Sequence, residues 1–539
     1  MLPFPPMVRH KPSPSFNITS LTVSIPTKKR AQSTTPSRWS TLEFRIYLLI
    51  IALVVPWMAW VVIRISLPTH PAYHLFSDRL SRGWLFGWPV DNWDAQYRSF
   101  RNNVPILAAV AGVHALLTYF VPTQLRLRLN LVFALVFNVA LHGTSTLKIL
   151  AIISLNYALR ARHPSFTWVF NVAMLFANDR FSGYSYASIS PSLGWLDDWE
   201  GVYPRWYISF NITMLRLVSF NMDYYAATTT PKSDSHPPHA YSFPVYLTYA
   251  LFAPLYIAGP IIPFNDFLVQ IEPQSTRPLT QKQEERPTTL IKPYFIRFIF
   301  TLLTMEVLIH TMYVVAIKDA RPWEHAAYLP SELALLSFFS LIHVWLKLLI
   351  PWRFFRLWSL LAGIDPPENM VRCMVNNYSA LAFWRAWHRS FNLWIVRYIY
   401  IPLGGSHRQL LNSLLIFTFV ALWHDLTFRL LAWGWLVSIF LIPEMVAGWV
   451  FSAEKFGDRP WYRHLCALGA VLNALMMMAA NLVGFVIGTD GVRYFVGQLV
   501  GIKEGLQFLV CAVAGMFIGI QVMFEYREEE KRRGIYRRC

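Results

Sequence analysis

The sequence predicts an all-α polytopic membrane protein, and three observations carry that prediction. Of 539 residues, 55% are hydrophobic and only 14% charged, where a soluble domain carries about 25% charged residues. Apolar runs long enough to cross a ~30 Å hydrocarbon core recur from end to end. Basic residues gather in the tails and short loops, where they orient spans and meet anionic lipid. The net charge of +18 raises nucleic acid as a partner, but 22 Trp and 39 Phe, set in apolar runs, argue against it.

Residues 1–43 form a basic tail rich in Pro, Ser and Thr, with no early apolar core. It reads as disordered, and the first span rather than a cleaved signal peptide directs insertion. A membrane domain follows over 44–525. Its apolar stretches fall at about 46–63, 104–121, 131–153, 206–226, 243–263, 295–316, 331–350, 409–426, 429–450, 465–488 and 503–524. A shorter one near 165–177 has the length of a re-entrant segment, giving 11 or 12 spans. The basic tail 526–539 ends the chain. Arg9, Lys11, Lys28, Lys29, Arg30 and Arg38 in the first tail, and Arg527, Lys531, Arg532, Arg533, Arg537 and Arg538 in the last, place both on the cytosolic side. That requires an even number of crossings. The polar loop 268–293 divides the chain in two, and His236 and His239 fall in a short Ser/Pro/His loop expected to be solvated. Cys373, Cys466, Cys511 and Cys539 form no CxxC pair, so neither a metal site nor a disulfide framework is indicated.

Two segments stand out chemically. His424 closes the apolar run Leu414–Trp423, and a titratable ring at membrane depth is a functional-site candidate by its cost alone. Upstream, Trp384, Trp387, Phe391 and Trp394 recur at three- and four-residue steps beside Arg385, His388, Arg389 and Asn392. That pattern predicts one amphipathic helix over 382–398, lying in the interface or dipping into the bundle. A helix starting near Arg408 carries His424 about 24 Å along its axis, inside the bilayer or near its far boundary. An apolar site disfavours the charged imidazole, and neutral imidazole is a good general base for a hydroxyl that attacks a carbonyl. No GxSxG elbow lies near either histidine, which favours direct transfer between two bound substrates. Arg385, Arg389 and Arg397 could meet phosphates of a cofactor-like donor or, equally, snorkel to lipid phosphates. Glu306 and His310, and Arg216 and Asp223, read as structural pairs within their spans.

Phe383-Trp-Arg-Ala-Trp-His388, Arg397-Tyr-Ile-Tyr-Ile-Pro-Leu-Gly-Gly405 and Ala421-Leu-Trp-His424 together resemble the signature of the membrane-bound O-acyltransferase (MBOAT) superfamily. Asn211–Tyr224, Ala253–Ile262 and Gly363–Met370 are similar to its fungal glycerol-uptake-protein (Gup) branch. The resemblance covers about residues 90–525. It implies the MBOAT fold, with membrane helices and re-entrant elements around a central tunnel. It implies acyl-CoA as co-substrate, with no permanently bound cofactor and no metal. His424 then maps onto the family's general base. His388 maps onto its second polar position, held by Asn or Asp in other branches, as base or orienter. Arg385, Arg389, Asn392 and Arg397 become candidates for holding acyl-CoA. The branch implies re-acylation of a lyso-glycosylphosphatidylinositol (lyso-GPI) or another lysolipid in the endoplasmic reticulum membrane, with the plasma membrane as a second address. Two rival expectations are a proton-coupled polyol carrier, which repeat symmetry and paired broken helices would favour, and a non-catalytic relative that binds lipidated proteins.

Overall fold

The computed structural model describes residues 35–230, 236–271 and 288–535. The chain enters through α1 (Leu42–Ser66), N-capped by Thr41. A hairpin of β1 (Ser81–Arg82) and β2 (Pro89–Val90) pairs antiparallel, Ser81 opposite Val90. The Asp94 carboxylate then caps α2 (Ala95–Phe120). The stretch expected as one span at 131–153 is two helices, α3 (Arg126–His142) and α4 (Ser145–Ala158). Gly143, at φ 55°, breaks it: a Cβ there would lie 1.9 Å from the Trp199 carbonyl oxygen, so only glycine fits this close approach. Next come α5 (Pro164–Arg180), α6 (Tyr186–Ile189) and α7 (Trp206–Thr229).

The stretch at 243–263 is also broken, into α8 (Phe243–Leu251) and α9 (Ala253–Tyr256), and leads to α10 (Phe264–Ile271). The second half runs through α11 (Thr288–Thr311), α12 (Val314–Ala320), the long α13 (Pro330–Leu361), and the short α14 (Ala380–Ala386) and α15 (Arg389–Ile395). It finishes with α16 (Gln409–His424), α17 (Phe428–Val450), α18 (Ala453–Phe456), α19 (Tyr462–Asn481), α20 (Gly488–Val500) and α21 (Lys503–Arg532).

Among the described residues, 8 helices are long and apolar enough to cross a membrane: α1, α2, α3, α11, α13, α17, α19 and α21. The 16 residues of α16 and the halves α8 and α9 are shorter than a full crossing. Helix α7 is long and largely buried, its polar residues Arg216, Ser219, Asn221 and Asp223 included. It forms the axle of the fold. The two ends of the described chain meet. The Arg38 amide donates to Glu525 at 3.0 Å, and Arg532 donates to the Thr35 carbonyl at 2.8 Å and to Glu525 at 2.6 Å. The two ends of the described chain therefore pack against each other. Helix α21 continues to Arg532, past the expected tail boundary at 526. The N-terminal tail as far as residue 34 and most of the 268–293 loop lie outside the described residues.

Several expected pairings differ. Arg216 does not pair with Asp223. Its guanidinium donates instead to the Ala250 and Leu255 carbonyls on either side of the break before α9. Asp223 instead accepts from Arg397 at 3.1 Å and Tyr398 at 3.0 Å. Glu306 takes a two-pronged bond from Arg101, both contacts 2.7 Å, and a third from Trp84 at 2.8 Å. His310 Nδ1 meets the Glu306 backbone carbonyl at 2.7 Å, with the carboxylate 3.9 Å away. His236, expected in solvent, is buried; His239 is exposed.

Candidate active site

The amphipathic helix expected over 382–398 is not continuous. It stops at Ala386, and His388 sits at φ 44°, ψ 50°, between α14 and α15. The left-handed region excludes this residue from either helix. Each side of the break is held by polar partners. Glu444 of α17 accepts from the Ser379 hydroxyl and from the Ala380 and Leu381 amides, placing negative charge at the start of α14. Asn369 accepts from the Arg389 amide through its carbonyl and from the Ser390 amide through its side chain, each at 3.1 Å. The Ser390 hydroxyl accepts from the Ile261 amide at 2.9 Å. Three sequence motifs, 253–262, 363–370 and 383–394, thus converge on one backbone break.

Helix α7 then anchors both histidine-bearing segments. The Trp394 indole donates to the Leu215 carbonyl at 2.9 Å, and the Tyr398 and Ser219 hydroxyls meet at 2.8 Å. Higher on α7, Asn211 Nδ2 donates to the Trp423 carbonyl at 3.2 Å, and Trp423 Nε1 donates to the Asn211 carbonyl at 2.9 Å. His424 follows directly as the last residue of α16. Helix α16 packs closely on α17 because Gly434 carries no side chain; a Cβ there would lie 2.7 Å from the Phe417 carbonyl oxygen.

Both histidines line one cavity of about 2180 Å³. Ligand pockets commonly measure about 300–1,000 Å³, so this space exceeds what one small molecule needs. His424 is exposed to it, and His388 is half-buried. Trp352 stacks on His388, ring centroids 4.7 Å apart and planes 24° from parallel. Trp423 touches both histidines, its ring 6.4 Å from that of His388 and 4.8 Å from that of His424. Phe391 and Trp433 complete the aromatic wall, at 5.3 Å from His388 and 6.3 Å from His424. Such a site can seat a long apolar chain beside two imidazoles.

Of the four residues expected to hold acyl-CoA, Arg385, Arg389 and Asn392 line the cavity. Arg385 is exposed and Arg389 is buried at 5%. Arg397 is not part of the cavity wall. It belongs to the short π-helical turn Val396–Tyr400, bound to the buried Asp223 at 3.1 Å and 3.7 Å from the half-buried Asp266. Asp425 is exposed beyond the end of α16 and also lies outside the cavity wall. Sequence reasoning missed Asn211, Trp352, Asn369 and Glu444. Asn211 carried a usable signal, an amide inside an apolar run, where a polar group needs a reason to be there.

Residues 163–489, more than half of the chain, match the model of the MBOAT, membrane-bound O-acyltransferase family. The chain is 43% identical to the membrane-bound O-acyltransferase GUP1 of Saccharomyces cerevisiae, over 95% of this chain and 96% of the relative. It is 36% identical to GUP2 of the same yeast, over 94% and 90%. More distantly, it is 27% identical to the protein-cysteine N-palmitoyltransferase HHAT of Mus musculus, over 44% and 49%. With a family model spanning both histidines and relatives matched along nearly their whole length, the chain belongs to the membrane-bound O-acyltransferase family.

Proposed function

We propose that this protein transfers a long acyl chain from acyl-CoA to the hydroxyl of a membrane lipid, with a lyso-GPI as acceptor, in the endoplasmic reticulum membrane. The observation that carries the reading is the pair of histidines on one aromatic-walled cavity, both in contact with Trp423. His424 removes the proton from the acceptor hydroxyl as its oxygen attacks the thioester carbonyl. The carbon–sulfur bond breaks, the acyl group stays on the acceptor oxygen, and the imidazolium returns its proton to the departing CoA thiolate. His388, fixed by Trp352 and by the backbone break, orients the reacting groups. Arg385, Arg389 and Asn392 hold the CoA end of the donor. The relatives support acyl transfer at large: GUP1 is a membrane-bound O-acyltransferase, and HHAT a protein-cysteine N-palmitoyltransferase.

The test is free-thiol release from long-chain acyl-CoA by purified protein, with and without a lyso-lipid acceptor, for wild type and His424→Ala. Acceptor-dependent release that vanishes in the variant is the expected result. Acylation that persists undiminished in His424→Ala would remove the general-base role.

A further inference from the structure

Helix α17 carries a carboxylate inside a membrane span, Glu444, half-buried toward the helix's end. An ionisable side chain in a span is costly and needs a reason to be there. Among the described residues Glu444 has no ion pair; it accepts from the Ser379 hydroxyl and from the Ala380 and Leu381 amides at 2.8 and 3.2 Å. Helix stability alone does not account for the charge. The Ser379 hydroxyl already caps α14, accepting from the Ala382 amide at 3.0 Å, and a serine at that position is a good cap by itself. What the carboxylate adds is a tie between two helices. It fixes the first turn of α14 to α17, and α14 has only 7 residues, too few to hold a position unaided.

The same helix also seats the neighbour of the other histidine. Trp433 of α17 is 2% exposed, and its indole donates to Asn481 Oδ1 at 3.4 Å. Its ring fills a notch at the π-helical turn Leu482–Val486, where a Cβ on Gly484 would lie 2.7 Å from it. So placed, it stands 6.3 Å from the His424 ring and 5.5 Å from the Trp384 ring of α14. Helix α14 is thus held to α17 at two points, by Glu444 at its start and by Trp433 in its second turn. Trp384 also lies 5.5 Å from Phe417 of α16, the helix that ends at His424. His388 comes two residues after α14 ends at Ala386, so its place relative to His424 is set from α17.

We propose that Glu444 is a positioning residue for acyl transfer: through α14 it sets where His388 stands relative to His424. The proposal rests on the reading that these two histidines carry the reaction. Glu444 does not line the cavity, so it touches neither substrate and acts through α14. Single-turnover acylation of lysophosphatidylinositol at saturating palmitoyl-CoA would be measured for full-length wild type, Glu444→Gln, His388→Ala and the double variant. Saturation sets donor affinity aside, because Arg385 rides on α14 as well. Glu444→Gln keeps the side chain's length and removes its charge. Its rate is expected to fall about tenfold in the wild-type background, part of the roughly 100-fold that an error of about 1 Å can cost. In the His388→Ala background the same substitution is expected to change nothing, since the group it positions is gone. No loss in the first background, or the same factor in both, overturns the role; a purely structural tie gives the second result, because lost folded protein lowers both alike. If Glu444→Gln fails to fold, Ser379→Ala, which removes one of the carboxylate's three donors, is carried through the same cycle and judged by the same outcomes. Wild type that transfers no acyl group overturns the reading of the histidines together with the proposal. Wild type that turns over without the coupling overturns the positioning role alone.

Discussion

Asn211 and Trp423 hold each other through two hydrogen bonds, side chain to backbone in both directions, at 3.2 and 2.9 Å. The residue after Trp423 is His424, so the clamp fixes where α16 ends relative to α7. Removing the Asn211 side chain deletes one neutral hydrogen bond, worth about 1 kcal/mol of stability. Displacing His424 from the general-base position proposed for it costs far more in rate, because an error of about 1 Å can lower it about 100-fold. Asn211→Ala is therefore expected to melt close to wild type while kcat falls well over tenfold and KM for acyl-CoA holds. Thermal melts alongside steady-state kinetics check this. A drop in kcat no larger than the loss of folded protein would make the clamp purely structural.

The two histidines should not be equivalent. A general base contributes about 10²–10⁴-fold in rate, so His424→Ala should lose activity on that scale. His388→Ala should lose less, with part of the loss in KM, because an orienting group acts on binding as well as on the transition state. In the double variant the losses should fall short of additive, since a positioned group is worth little once the base is gone. Single-turnover acylation by the three variants measures it. Fully independent losses would separate His388 from the chemistry.

Arg385 and Arg397 divide what the sequence grouped together. Arg397 is committed to Asp223 and Asp266 and does not line the cavity. Arg397→Ala leaves the buried Asp223 without its cation, a change that costs about 3–5 kcal/mol. Lower melting temperature and yield are expected, with KM for acyl-CoA unchanged in the protein that does fold. Arg385 faces the cavity and has no ion pair among the described residues. Arg385→Ala should raise KM for acyl-CoA and leave melting nearly unmoved. The opposite pattern in titrations of acyl-CoA would return Arg397 to the donor site.

Much of this architecture was legible because apolar length is a direct physical signal: α1, α2, α13, α17 and α21 each fall on an expected stretch. That His388 and His424 line one cavity was foreshadowed as well, His424 by its place at the end of an apolar run and His388 by the aromatic, charged stretch around it. What was hidden is where the chain breaks. Gly143 and the break before α9 interrupt stretches whose composition reads as continuous. The partners of Arg216, Asp223 and Arg397 were equally hidden, since periodicity along one helix says nothing about the groups on another. Aromatic spacing over 382–398 gave the correct face on each side of His388, but it could not show the left-handed residue between them.

That left-handed residue constrains what position 388 can be. At φ 44°, ψ 50°, non-glycine residues are uncommon, but Asn, Asp and His are enriched several-fold, whereas β-branched residues there are outliers. The family resemblance allows Asn or Asp at this same position, so the backbone and the chemistry select one short set of residue types. His388→Asn should therefore fold with a melting temperature near wild type and keep measurable acylation, while His388→Val should lose stability by about 1–3 kcal/mol from backbone strain. Comparing these two variants with His388→Gly separates the causes. Glycine relieves the strain and removes the side chain, so it should fold like the Asn variant and work like the Ala variant. If Val were as stable as Asn, the break before α15 would not be a fixed feature of the folded protein, and the orienting role of His388 would lose its structural basis.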